Sequence, residues 1–182
     1  MDLFEAIKSR RSVRAFTQED VSKEEIEKLI DAARRAPSAG NIQPWEFIVV
    51  RKTETKHRLS AAALDQTFIE KAPVVIVVCA NQTLSSRRYG ARGSHLYCLQ
   101  DTGAAIQNIL LTACALKLAT CWVGAFKEEE ARKALNLPEG VRPVSIIPVG
   151  HPAEKPMARS RRPLSEIVHS ETYKRRNLSK TS

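Results

Sequence analysis

Two short segments near the N-terminus bound the chemistry this chain can attempt. Arg10-Arg11-Ser12-Val13-Arg14 sets three guanidiniums and a hydroxyl within five residues. Pro37-Ser38-Ala39-Gly40-Asn41-Ile42-Gln43-Pro44-Trp45 is a turn-rich stretch that carries two side-chain amides and closes on a tryptophan before an apolar run. Guanidinium forks match phosphate oxygens in bidentate geometry, and a hydroxyl adds a neutral donor. Asn and Gln offer donors and acceptors together, as the edge of a polar heterocycle requires. Phosphate at one end and a heterocycle at the other describe a nucleotide-like ligand. Plainer readings stand beside these: an arginine run can be a solvated basic surface, and Pro, Ser, Gly and Asn are ordinary turn formers.

What is missing narrows the choice. Neither GxGxxG nor GxxxxGK[ST] occurs, so any phosphate must be held by side chains rather than by a glycine-rich loop. No GxSxG elbow is present. His57, His95, His151 and His169 are scattered and form no zinc pattern, and Cys79, Cys98, Cys114 and Cys121 show no CxxC spacing. The cysteines read as free, reduced and largely apolar in role. A ligand that carries its own reactivity fits a chain with so little catalytic machinery.

The elements that position these segments follow from periodicity. Residues 2–9 predict a short helix with Leu3, Phe4 and Ile7 on one side. Ser22 with Glu25 makes a capping box, followed by Ile26, Leu29, Ile30 and Ala33 at helical spacing up to Pro37. Strands are predicted over 47–50, 74–78, 120–126 and 144–150, and further helices over 54–63, 101–118 and 128–135. The run Val74–Val78 is continuous and β-branched, as a strand covered on both faces should be. Residues 81–99 are polar and read as a long loop with some helix, either a lid over a site or a surface excursion. The helix from Asp101 is apolar around nearly its whole circumference, which calls for burial on all sides and points to a subunit interface.

The chain of 182 residues reads as one domain over 1–170, with a basic tail over 171–182 that is frayed or wraps a partner. No apolar run approaches the roughly 20 residues that span a bilayer, and Met1–Glu5 lacks the flank of a signal peptide. A cytoplasmic location without membrane association is expected. The net charge of +9 is uneven: residues 155–182 hold eight Lys+Arg against two Asp+Glu, an excess of six, while residues 1–154 hold 21 against 18, an excess of three. A basic tail can serve nucleic acid, but it lacks the aromatic series that strand binders use. The nucleic-acid reading therefore ranks last.

RRSVR followed by PSAGNIQPW resembles the nitroreductase family of FMN-dependent oxidoreductases. The resemblance extends to Trp122-Val123-Gly124-Ala125-Phe126, which looks like the family's segment beside the flavin ring. It also reaches Gly150-His151-Pro152 and the run Arg159-Ser160-Arg161-Arg162-Pro163-Leu164. It implies an α+β sandwich with a central mixed, mainly antiparallel sheet flanked by helices, forming an intertwined homodimer with FMN at the subunit interface. Arg10, Arg11, Ser12 and Arg14 would come from one subunit, and Pro37, Ser38, Ala39, Asn41 and Gln43 from the other. Trp122, Val123, Gly124 and Ala125 would line the ring, with a backbone N–H donated towards its N5 region. Arg161, then Arg159, would return to the phosphate. Where some members place an Asn and a Lys near the pyrimidine, this chain has Leu64–Phe68, leaving Gln66 as the candidate contact. The implied reaction is ping-pong: NADH or NADPH passes a hydride to the flavin, and a nitroaromatic, quinone or similar acceptor then takes the electrons. No side chain acts as nucleophile. Reductive dehalogenation or an oxidation in cofactor biosynthesis on the same fold is the alternative.

Overall fold

The computed structural model describes residues 1–173, so most of the predicted tail lies outside the described residues. Helix α1 (Leu3–Ser9) opens the chain, its N-terminus capped by Asp2, whose carboxylate accepts from Glu5 N. Helix α2 (Lys23–Ala33) carries the expected capping box: Ser22 Oγ accepts from Glu25 N, and the Glu25 carboxylate accepts from Ser22 N at 2.9 Å. Strand β1 (Trp45–Val50), helix α3 (Thr53–Ala62), the single turn α4 (Phe68–Lys71) and strand β2 (Val74–Asn81) follow. Then come α5 (Gln82–Arg92), a π-helical turn (Gly93–Tyr97) and the long α6 (Cys98–Ala115). Strand β3 (Ala119–Thr120), α7 (Glu128–Leu135), β4 (Val141–Gly150) and the short α8 (Leu164–Ile167) complete the order.

The four strands run in the order β1-β2-β4-β3, and every pair is antiparallel. An isolated parallel bridge, Ser12 to Thr120, adds the mixed character at the β3 edge. Side chains alternate across a strand, and β2 shows the consequence. Val74, Ile76 and Val78 pack with Ile26 and Leu29 of α2 and Ile106 and Ile109 of α6. Val75, Val77 and Cys79 pack on the other face with Leu59 of α3, Ile69 of α4 and Ala131 of α7. A helix layer on each side explains why residues 74–80 of β2 are all apolar and buried. The result is the α+β sandwich.

Three local expectations need correction. Residues 81–99 are not a loop: Asn81 ends β2, and Gln82 onwards is helical except for a break at Gly90 (φ 53°, ψ −143°), with the wide turn Gly93–Tyr97 after it. The predicted strand over 120–126 shrinks to two residues in β3 plus an isolated bridge between Val123 and Ile146, because the chain leaves the sheet towards α7. Helix α6 starts at Cys98, and eight of its 18 residues, among them Asp101, are already buried within one chain.

Candidate functional site

A small cluster of Val13, Phe16, Ala72 and Ala119 pins the arginine segment to the sheet edge. Val13 is buried, its N–H donates to Thr120 O at 3.0 Å, and its neighbours Ser12 and Arg14 are therefore turned away from that cluster. Glu154 fixes the next turn by accepting from the N–H groups of Arg14 and Ala15.

The outcome is a cavity of about 270 Å³ lined by Arg10, Arg11, Ser12, Arg14, Pro156, Met157, Arg159 and Arg161. Residues almost the whole chain apart meet here, and the two C-terminal arginines named from the sequence are both in its wall. Arg162 is not: its guanidinium turns to the Glu166 carboxylate at 3.3 Å. Among the described residues none of the five guanidiniums in the cavity is within ion-pair reach of a carboxylate. Five cations without a protein counterion, beside a hydroxyl, form a strong site for a phosphate dianion.

Other candidates lie next to it. The Arg14 guanidinium stands 5.7 Å from the Phe68 ring centroid, in cation–π contact. Gln66 Nε2 donates to Ala63 O at 2.8 Å and to Ala125 O at 3.2 Å, tying residues 64–68 to the 122–126 segment. Val123 is buried and exchanges both backbone hydrogen bonds with Ile146, so its N–H is not available to a ligand. The N–H groups of Gly124 and Ala125 have no partner among the described residues, and both residues are exposed. Trp122 is 43% exposed, unusual for a tryptophan in a core of this size. Burial pushes the Cys121 thiol up, opposed by the charge of Arg14 and a hydrogen bond from Ser12.

The Pro37–Gln43 loop lies elsewhere: none of its residues lines the arginine cavity. It is a backbone under tension, with left-handed φ at Gly40 (55°), Asn41 (57°) and Gln43 (55°). Ser38 Oγ accepts from Gln43 N at 2.9 Å, and Gln43 Nε2 donates to Asn41 Oδ1 at 3.3 Å. Both amide side chains stay exposed, while Ser38 and Ala39 are half-buried and Pro37 is exposed. Two anchors hold the loop to the body: Asp101 Oδ1 accepts from Ala39 N at 3.1 Å, and Arg88 Nη1 donates to Gly40 O at 3.2 Å.

Met157 was not singled out in the sequence, Phe68 and Arg88 were read only as parts of the 64–68 and 81–99 segments, and Asp101 was missed as more than a helix start. A lone carboxylate in the first turn of an otherwise apolar helix was the available signal. It is buried, burial raises its pKa above the ordinary aspartate value of 3.8, and its Oδ2 has no hydrogen-bond partner among the described residues.

The nitroreductase family model matches residues 7–71 and 61–151 of this sequence. This chain belongs to the nitroreductase family. A Methanothermobacter thermautotrophicus relative provisionally described as an NADH dehydrogenase/NAD(P)H nitroreductase is 39% identical over 163 residues, covering 87% of this chain and 82% of its own. The Bacillus subtilis FMN reductase [NAD(P)H] is 29% identical, covering 94% and 74%. Among solved structures, the NADPH:FMN oxidoreductase of Vibrio harveyi complexed with NAD+ superposes with a TM-score of 0.89 at 26% identity, covering 97% of this chain and 80% of that one. B. megaterium NfrA2 gives 0.88 at 31%, covering 96% and 76%. Among the described residues no helix is long and apolar enough to cross a membrane, and no cluster of His, Cys, Asp or Glu could hold a metal ion.

Proposed function

We propose that this nitroreductase-family chain is an FMN-dependent NAD(P)H oxidoreductase working as a homodimer in the cytoplasm. The observation that carries the reading is the cavity that joins Arg10, Arg11, Ser12 and Arg14 to Arg159 and Arg161, none of whose guanidiniums is within ion-pair reach of a carboxylate among the described residues. These residues hold the FMN phosphate. When bound, FMN supplies the redox chemistry, taking electrons from NADH or NADPH and passing them in a ping-pong cycle to a nitroaromatic, quinone or similar acceptor. The unpaired N–H groups of Gly124 and Ala125 donate to the ring, Trp122 and Val123 shape its wall, and Gln66 keeps that segment in place.

The site is completed across a subunit boundary. Asn41 and Gln43 present their amides to solvent on a loop separate from the arginine cavity, as a group serving a ring held by the other subunit would. The exposed apolar side chains agree: Leu3, Phe4 and Ile7 of α1 are 60%, 81% and 54% exposed. An apolar helix face left open to this extent is covered by a second surface. Leu164, Ile167 and Val168 extend the same kind of surface near the C-terminus. Residues 1–170 act as one domain.

The test is the visible spectrum of freshly purified protein, with the released chromophore identified by mass. Flavin bands with the mass of FMN, bleached by NADH or NADPH, are the expected result. A colourless protein that does not bind added FMN would sink the reading.

A further inference from the structure

Helix α5 and the turn after it carry a second basic cluster that the phosphate of FMN does not use. Arg87, Arg88 and Arg92 fall within six residues, and no Asp or Glu occurs from residue 71 to residue 100. All three are exposed, and among the described residues none is within ion-pair reach of a carboxylate. An ordinary solvated helix face intersperses charges of both signs; this one does not.

The cluster is also built rather than loose. The Arg88 guanidinium lies 5.5 Å from the Tyr89 ring centroid, Tyr89 meets Tyr97 edge-to-face at 5.3 Å, and Arg92 lies 5.2 Å from the Tyr97 ring. Arg92 Nε further donates to Tyr97 Oη at 2.8 Å. Two guanidiniums are thus seated on a pair of interlocked rings. Each ring removes part of the rotamer freedom that a free arginine loses on binding.

Its position gives it a role. Arg88 holds Gly40 O, and an added Cβ on Gly40 would stand 2.5 Å from Tyr89 Oη and 2.9 Å from Arg88 Nη1. The basic cluster therefore leans directly on the loop that bears Asn41 and Gln43. A ligand that reaches that loop from the α5 side meets these cations.

We propose that the Arg87–Arg88–Arg92 surface is the docking site for the phosphate groups of the dinucleotide reductant, guiding its nicotinamide end towards the flavin. This rests on the flavin reading above. The reductant brings two kinds of phosphate, the pyrophosphate of both NADH and NADPH and the 2′-phosphate of NADPH alone. Both suit stacked guanidinium forks. A neutral acceptor such as a quinone gains nothing from the same surface, so the cluster acts on the reductant half of the cycle.

The experiment is steady-state kinetics with NADH and with NADPH, with FMN affinity measured by fluorescence quenching, on the FMN-loaded enzyme. Wild type is compared with Arg92→Ala, Arg92→Lys and the double variant Arg87→Ala/Arg92→Ala, avoiding Arg88 because it anchors the loop. Losing one charge-assisted contact raises KM for the reductant about tenfold, the double variant loses more, and Arg92→Lys recovers part. FMN affinity stays at the wild-type level. A rise with NADPH alone assigns the surface to the 2′-phosphate, and a rise with both assigns it to the pyrophosphate; each upholds the docking site. Unchanged KM for both reductants overturns it, and so does a parallel loss of FMN, which would place these arginines in the flavin site. Calorimetric titration with ADP-ribose, which carries the pyrophosphate, and with 2′,5′-ADP, which carries the 2′-phosphate, separates the two readings. Protein that holds no FMN yet binds either one in an Arg92-dependent way loses the flavin reading and keeps only the phosphate-docking surface, whereas absence of binding to both ends both.

Discussion

Asp101 Oδ1 accepts the backbone N–H of Ala39 at 3.1 Å, joining the first turn of α6 to the strained loop that presents Asn41 and Gln43. One oxygen is used and the other is buried without a partner among the described residues. This is a costly way to hold a turn, since an unpaired buried oxygen has given up its water. The carboxylate is retained where a smaller residue would leave the loop unanchored.

That arrangement carries a pH signature. Burial raises the Asp101 pKa, so the folded chain binds this proton more tightly than the unfolded chain does. The stability it contributes is fully present below the ordinary value of 3.8 and is lost as pH rises through the raised folded value. Asp101→Asn keeps a carbonyl oxygen for Ala39 and cannot ionise, so this slope in urea-determined stability should vanish. Asp101→Ala should cost about 1–3 kcal/mol by leaving the Ala39 N–H unpaired. A slope that persists in the Asn variant assigns it to another group.

Arg10→Ala removes one guanidinium from the phosphate cavity. The loss of a charge-assisted hydrogen bond is about 1.5–3 kcal/mol, so FMN should dissociate on dilution where wild type retains it. Arg162→Ala is the matched control, because Arg162 pairs with Glu166 outside that cavity. Equal FMN retention in the two variants contradicts the assignment.

Gly150 ends β4 where Pro73 and Phe16 close in. A Cβ there would stand 2.7 Å from Pro73 Cδ and 3.0 Å from Phe16 Cδ1. Gly150→Ala should therefore destabilise by about 1–3 kcal/mol, the usual range for overpacking, read from the urea midpoint at constant m-value. It should also perturb Phe16, a neighbour of Val13 in the cluster that pins the arginine segment.

Phe4 is the most exposed large apolar side chain of α1. Phe4→Asp leaves the fold of a single chain intact and should convert a dimer to a monomer in light scattering, with FMN lost as the boundary opens. A monomeric wild-type protein that still retains FMN would falsify the shared site.

Much of the fold was legible because its signals are local. Glu128–Leu135 has a three-glutamate first turn and basic residues in its last, and the predicted helix agrees with α7 residue for residue. Ser22 and Glu25 announced α2, and unbroken β-branching announced β2. Helix α5 was illegible for the opposite reason. Gln82–Arg92 has little apolar periodicity and a glycine inside it; contacts with the 37–43 loop and with Tyr97 hold it instead. The arginine cavity could be guessed only through the resemblance, since no local rule brings residues 10 and 161 together. Asp101 escaped because its partner is a backbone N–H, which no side-chain pattern reveals.

The π-helical turn Gly93–Tyr97 places one extra residue between α5 and α6. Each residue of a helix turns the chain by about 100°, so that insertion sets which way α5 faces relative to the buried α6. Deleting Ser94 would rewind that turn into ordinary register and rotate everything before it, so that Arg88 and Tyr89, across the break at Gly90, would no longer meet Gly40. The core would survive, since α6 would keep its seat, but the roof of the loop would rotate away. A single codon thus tunes the angle at which this family member shows its cations to the outside world.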